Sequence, residues 1–245
     1  MTVFLRRIAS KDEATQGRSY PFTLPLFSAP LSVELRKPVT MLTGENGAGK
    51  STLLEMLAHH CGFGLSGGNR NHHHAKADPA IERLASSMTF SWMPKVTTGF
   101  FFRAETFNDF ASHLDGMAQE VGDIAYDGYG GTSLHQKSHG EAFLAFFENR
   151  VLGGRGLFIL DEPEAALSPL RQMAILSMVH QAAASGRAQF IIATHSPLLL
   201  KYPDADILEV RRGEIALTPY EKTENYRIYH RLFNDERFFR QFLDE

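Results

Sequence analysis

The chain has 245 residues, a formal net charge of −3 with its 11 histidines neutral, and 43% hydrophobic residues. That length holds one large α/β domain with a sizeable core, and the charge excludes a globally basic nucleic-acid surface but not a local patch. A single cysteine, Cys61, excludes an intramolecular disulfide and fits a small buried group in a protein of the reducing cytoplasm.

The stretch Met1 to Arg7 is too polar for a signal peptide, and no apolar run reaches the length of a membrane span, so direct membrane insertion is not expected. Val3 to Ile8 reads as an edge strand, Ser10 to Arg18 as a polar turn, and Tyr20 to Pro30 as an aromatic loop punctuated by proline. Leu31, Val33 and Leu35 alternate with Ser32, Glu34 and Arg36, the pattern of a half-buried strand.

Val39 to Thr43 reads as a short buried strand that runs into Gly44-Glu45-Asn46-Gly47-Ala48-Gly49-Lys50-Ser51. This stretch fits G-x-x-x-x-G-K-[ST], a phosphate-binding loop. A polyphosphate needs many N–H donors converging on it, and Gly44, Gly47 and Gly49 allow the backbone to fold that tightly. Lys50 brings a compact positive charge to the β- and γ-phosphates, and Ser51 offers a hydroxyl to Mg²⁺. Glu45, Asn46, Ala48 and Thr52 belong to the same expected cradle. The helix that follows, with Leu53, Leu54, Leu57 and Ala58 along one side, turns its N-terminal amides toward the anion.

Glycines then crowd Gly62 to Gly68, and Asn69 to Asp78 reads as a surface loop. Its His72-His73-His74 run is a solvated loop rather than a metal site, because adjacent side chains diverge. Met88 to Met93 and Gly99 to Arg103 read as strands. Phe107, Phe110, Ala111, Leu114 and Ala118 recur at helical spacing, so Thr106 to Gln119 is an expected amphipathic helix with a core of phenylalanine. Asp123 to Thr132 reads as irregular. Ser138-His139-Gly140-Glu141 opens a helix that Gly153-Gly154 ends. Its Ser-x-Gly fits a capped helix start or a second anion site. One subunit has no need of two such sites, which points to a shared nucleotide.

Leu157 to Leu160 reads as a buried parallel strand ending in Asp161-Glu162. Asp161 is placed to hold Mg²⁺ through water or Ser51, and Glu162 to polarise the attacking water. Ser168-Pro169 starts a helix to about Ala184. Phe190 to Ala193 is another buried strand, followed by Thr194-His195-Ser196-Pro197. Ligands of open α/β sheets bind at the carboxyl ends of strands, so His195 falls on the edge that carries Lys50 and Asp161. There a neutral imidazole can contact the γ-phosphate and the attacking water, or serve a structural turn. A hairpin around Arg212-Gly213 and an aromatic helical tail from Thr223 to Leu243 complete the chain.

In this order the four motifs resemble those of the ATP-binding cassette (ABC) ATPases, over roughly residues 30–200. The resemblance is nearest to stand-alone AAA-family ATPases related to the SMC-like and RecF-like ATPases. It is carried by Phe101-Phe102-Arg103-Ala104-Glu105, Ser138 to Glu141, Asp161 to Pro169 and Thr194 to Pro197. It implies an α/β P-loop fold with a mixed central sheet, flanking helices and a mostly helical inserted arm. The core lobe would span 1–61 and 155–220, the arm 62–154 and a helical tail 223–245. It implies Mg²⁺-dependent ATP hydrolysis, with Lys50, Glu162 and His195 catalytic, and Ser51 and Asp161 on the metal. It also implies that ATP is sandwiched between the phosphate loop of one subunit and Ser138 and Gly140 of another, so that ATP drives homodimerisation.

The chain departs from that family pattern at three places. Ser-His-Gly-Glu stands for Ser-Gly-Gly-Gln, Ser168 stands where Asp is usual, and the glutamine usually offered to the metal is missing, with Glu105 as its stand-in. Tyr20 and Phe22 are candidates to stack on adenine or to join the core. Two rival readings are the motor subunit of a membrane transporter and a nucleotide-gated module with negligible turnover. The first needs a groove in the arm for a membrane partner's helix, and the second has no use for both Glu162 and His195. No motif specifies the downstream task, which leaves DNA maintenance, defence or another role open, with a nucleic-acid or protein partner.

Overall fold

A computed structural model describes residues 2–11, 19–65, 68, 78–165, 167–241 and 243, with the backbone alone at His139. The His72-His73-His74 loop and Phe242 lie outside these residues. In chain order the strands are β1 (Leu5–Ser10), β2 (Ser32–Glu34), β3 (Val39–Gly44), β4 (Met88–Trp92), β5 (Gly99–Arg103), β6 (Gly156–Asp161), β7 (Ala188–Ala193), β8 (Asp206–Arg211) and β9 (Glu214–Leu217). The helices are α1 (Lys50–Cys61), α2 (Pro79–Ser86), α3 (Phe107–Val121), α4 (His139–Phe146), α5 (Pro169–Ala184), α6 (Pro197–Leu200), α7 (Glu224–Asn234) and α8 (Glu236–Gln241). A π-helical segment, Phe147–Leu152, extends α4.

The main sheet has the order β5-β6-β7-β3-β8-β9, parallel throughout except for the β8–β9 hairpin. A parallel sheet is covered on both faces, which is why β6 and β7 are buried at every position. Alternation sends Phe100, Phe102, Phe158 and Phe190 to one face, where they meet α3, α4 and α5. Rings of Phe107 and Phe143 pack there with centroids 4.4 Å apart. Phe101, Ile159 and Ile191 go to the other face, against Leu53, Leu54 and Leu57 of α1.

A second, antiparallel sheet of order β2-β1-β4 covers that side. β1 is therefore a middle strand, not the edge that its local pattern suggests, because β4 returns from far along the chain to pair with it. The side chain of Gln189 in β7 joins the two sheets. Its Oε1 accepts from the amides of Phe4 and Leu5, and its Nε2 donates to the carbonyl of Leu5, each at 2.9 Å.

The expected lobe boundary also shifts. β4 and β5 come from the stretch assigned to the arm, so the sheets are not built from 1–61 and 155–220 alone. The arm proper leaves the main sheet after Arg103 and returns at Gly156. The expected helices at Thr106 to Gln119 and Ser168 to Ala184 are found, within two residues, as α3 and α5.

Candidate active site

The phosphate loop joins the end of β3 to α1. Gly44 has φ 134°, and a Cβ there would lie 2.2 Å from the carbonyl oxygen of Val210 in the neighbouring strand. Gly49, at φ 106°, caps α1. Both are conformations that side chains with a Cβ resist. The loop closes around its own lysine. The Lys50 ammonium donates to the carbonyls of Gly44 at 2.8 Å and Glu45 at 2.9 Å. Burial lowers the pKa of Lys50, against the pull of Glu162 and Asp161.

Strand register brings the second group of residues alongside. Arg103, Asp161 and Ala193 lie in one row across β5, β6 and β7, at their carboxyl ends. The Ser51 hydroxyl donates to Asp161 Oδ1 at 3.2 Å. Burial pushes the Asp161 carboxyl up to about 6, with Arg103 and the Ser51 hydrogen bond pulling the other way.

Arg103 has no role of its own in the Phe101–Glu105 pattern, yet it is central to the geometry. Its guanidinium bonds Glu55 of α1, pairs with Glu105 at 2.9 Å, and stands 3.7 Å from Asp161. Glu105 is 76% exposed and committed to Arg103. It lines one cleft with Ser51, Arg103, Asp161 and Glu162, and within that cleft Arg103 is the residue of this segment that stands 3.7 Å from Asp161. Tyr20 is exposed, with its hydroxyl 3.5 Å from Thr52 Oγ1. Phe22 instead packs against the core beneath α1.

Glu162 follows β6 in a left-handed conformation, φ 49°, rare for a residue with a Cβ. Its amide donates to the carbonyl of Ala193 at 2.9 Å, tying this turn to the end of β7. The carboxylate lies 4.0 Å from His195 Nε2. His195 Nε2 is buried and has no hydrogen-bond partner among the described residues. Burial, with Lys50 adding to it, lowers the His195 pKa, so the imidazole is neutral near pH 7.

Glu164, unassigned from sequence, holds this histidine loop. Its Oε1 accepts from Thr194 Oγ1 at 2.7 Å and from the amides of His195 at 2.8 Å and Ser196 at 3.1 Å. Asn225 of α7 donates to the His195 carbonyl at 2.8 Å. The signal for Glu164 was its place two residues after Glu162; nothing local marks Asn225.

Ser138 and Gly140 stand apart. Ser138 caps α4 in a box with Glu141, whose carboxylate accepts from the Ser138 amide at 2.9 Å and from its hydroxyl. These bonds hold the Glu141 carboxyl below its usual range. A Cβ on Gly140 would fall 1.8 Å from Arg171 Nη1, so the Arg171 side chain packs directly on this glycine and would have to move aside for any larger residue. Among the described residues no hydrogen bond or ion pair links Ser138 or Gly140 to the phosphate loop.

Residues 18–98 match a family described as an AAA domain. Residues 141–201 match a second AAA domain family, whose description names a candidate AbiEii toxin of a type IV TA system. No curated protein matches the chain in sequence. The fold is similar to that of an inward-facing candidate metal-chelate type ABC transporter, with a TM-score of 0.52 at 14% identity, covering 93% of this chain and 90% of that one. It is also similar to an Smc head bound to the C-winged helix domain of ScpA, with a TM-score of 0.50 at 12% identity, covering 88% and 98%. The two AAA-domain matches, one on the phosphate loop and one on the acidic strand, thus lie within a P-loop α/β fold similar to those of an ABC transporter and an Smc head.

Proposed function

We propose that the chain binds Mg²⁺·ATP in the β3–α1 loop, hydrolyses the γ-phosphate, and closes head to tail with a second copy while ATP is bound. One observation carries this reading: Lys50, Ser51, Asp161, Glu162 and His195 converge at the carboxyl ends of β3, β6 and β7. The phosphates replace the two carbonyls that hold the Lys50 ammonium, and the loop amides and α1 dipole hold their charge. Ser51 and Asp161 are hard oxygen donors, and burial raises the pKa of the Asp161 carboxyl even with Arg103 beside it, which fits a site for Mg²⁺. When bound, the ion neutralises charge on the phosphates.

Glu162 accepts a proton from water as the water oxygen attacks the γ-phosphorus in line. The bond to the β–γ bridging oxygen breaks, and ADP and phosphate leave. The orphaned Nε2 of His195 gains a partner in the γ-phosphate or the attacking water. Ser138, the amide of Gly140 and the Arg171 guanidinium form an anion site at the start of α4 that serves the nucleotide of the other copy. The description matched over residues 141–201 supports a downstream task in defence.

The test is steady-state phosphate release by the purified chain. The expected result is Mg²⁺-dependent turnover that Glu162→Gln lowers at least ~10²-fold. Tight ATP binding with no turnover across a wide range of protein concentration would make the chain a nucleotide-gated module instead.

A further inference from the structure

His195 lies beyond the end of β7. Among the described residues the sheet's last hold on this segment is the Thr194 amide, which donates to the carbonyl of Leu42 in β3 at 3.0 Å. Past it, side chains take over both polar groups of the His195 backbone. The His195 amide donates to Glu164 Oε1 at 2.8 Å, and the His195 carbonyl accepts from Asn225 Nδ2 at 2.8 Å. The imidazole that this clamp carries stands 4.0 Å from the Glu162 carboxylate.

The two halves of the clamp differ in kind. Glu164 sits two residues after Glu162, in the turn that follows β6, and belongs to the core. Asn225 comes from the first turn of α7, where no residue from Glu224 to Asn234 is buried among the described residues. Phe233 of that helix is 77% exposed. Core packing therefore does not fix α7. An isolated helix of 11 residues is marginal in water, so its anchors decide where it sits.

Those anchors gather at the root of α7. The buried Thr223 caps the helix, its hydroxyl accepting from the Tyr226 amide at 3.2 Å. The Glu224 amide donates to Oε1 of the buried Glu209 at 2.8 Å. Glu209 lies in β8 opposite Thr43, the residue before Gly44 of the phosphate loop. Just before the helix, the Tyr220 hydroxyl donates to the carbonyl of Pro197 at 3.2 Å. The root of α7 thus rests on the strand beside the phosphate loop and on the segment His195–Pro197.

We propose that Asn225 is a positioning residue for His195: its hydrogen bond to the His195 carbonyl sets the imidazole for the γ-phosphate and ties the seating of α7 to the nucleotide held. This rests on the reading above, in which His195 meets the γ-phosphate. In binding terms the tie is reciprocal. A γ-phosphate that fixes His195 steadies α7, and drawing α7 from its seat loosens His195. The C-terminal helix therefore governs turnover from outside the nucleotide site.

Two substitutions isolate the hydrogen bond. Asn225→Ala removes the donor and is the better helix former. Asn225→Asp keeps the shape, cannot donate when ionised, and places a negative charge where the helix dipole favours it. Neither weakens α7 itself. In both, kcat should fall at least ~10-fold, as expected when a reacting group loses its position, while ADP, which lacks the γ-phosphate, binds as in the parent. Amide hydrogen exchange read by mass spectrometry over residues 224–234 supplies the second measurement. In the parent, exchange should be several-fold slower with the Mg²⁺ complex of a β,γ-imido ATP analogue than with Mg²⁺·ADP, and this difference should vanish in both variants. Parent-like turnover in both variants, or parent exchange that is the same with either nucleotide, would overturn the proposal. So would a fall in turnover accompanied by a loss of ADP binding, which would make Asn225 a merely structural residue. A parent that binds ATP without turning it over overturns the hydrolysis reading alone, and the exchange comparison then decides the tie. A parent that binds neither nucleotide overturns both.

Discussion

Arg103 Nε stands 3.7 Å from Asp161 Oδ2, while the rest of the same guanidinium serves Glu55 and Glu105. One cation therefore joins the acidic strand, the helix after the phosphate loop and the root of the arm. Two of its three carboxylates, Glu55 and Asp161, are largely buried, and burial raises the pKa of both. Arg103→Ala leaves them without that cation and should destabilise the ligand-free protein by about 2–4 kcal/mol. Arg103→Lys keeps the charge but cannot span three carboxylates, and should recover only part of the loss. Urea unfolding of the three proteins measures this; equal midpoints and slopes would show that the hub is idle.

Asp161 also sets a pH dependence. Its folded-state pKa is raised from 3.8 to about 6. The group therefore stabilises the fold fully below its unfolded pKa, and that contribution is lost as pH rises through about 6. Asp161→Asn removes the buried charge and keeps an acceptor for Ser51. In EDTA without nucleotide it should raise stability at about pH 8, on the order of 2 kcal/mol, and by clearly less at about pH 4.5, where the folded-state carboxyl is protonated. A variant less stable than the parent at the higher pH would contradict the burial argument.

The edge that carries Lys50, Asp161 and His195 was legible because its signals are local. Gly44 and Gly49 are glycines for steric reasons that a loop of that shape imposes wherever it occurs, and Asp161 and His195 each follow an apolar run that can only be a buried strand. What escaped depends on pairing between distant segments. The place of β1 in its sheet depends on β4, and the entry of β5 into the main sheet depends on its register with β6. Arg103 gains its role from the row it shares with Asp161. Glu164 and Asn225 matter only because the chain returns to the His195 loop. The apolar spacing of α3 announced a helix, but not that Val121 and Ile124 would be left at the surface.

Lys50→Ala removes the positive charge around which the loop is folded. Loss of one charge-assisted contact should cost about 1.5–3 kcal/mol, or roughly one to two decades in ATP affinity. Titration with a fluorescent ATP analogue reads this directly, and parent-like affinity would displace the nucleotide from this loop.

Ser138→Arg tests whether the α4 site serves the other copy. Among the described residues no hydrogen bond or ion pair links Ser138 to the phosphate loop of its own chain, so nucleotide binding to the monomer should be unchanged while turnover falls. Because the substitution also removes a helix cap, thermal melting is measured in parallel, and a loss of about 1 kcal/mol is expected from that alone. Turnover equal to that of the parent would remove the composite site.

The central claim, that ATP closes two copies on each other and hydrolysis releases them, is tested most directly with Glu162→Gln. The substitution keeps the side chain's shape, removes the charge that activates water and relieves repulsion toward the γ-phosphate. Light scattering after gel filtration, with and without Mg²⁺·ATP, gives the mass in each state. The account predicts a monomer without nucleotide and a dimer with it. A monomer under saturating ATP, with binding verified separately, would contradict it, and a dimer already present without nucleotide would move the interface away from the phosphate loop.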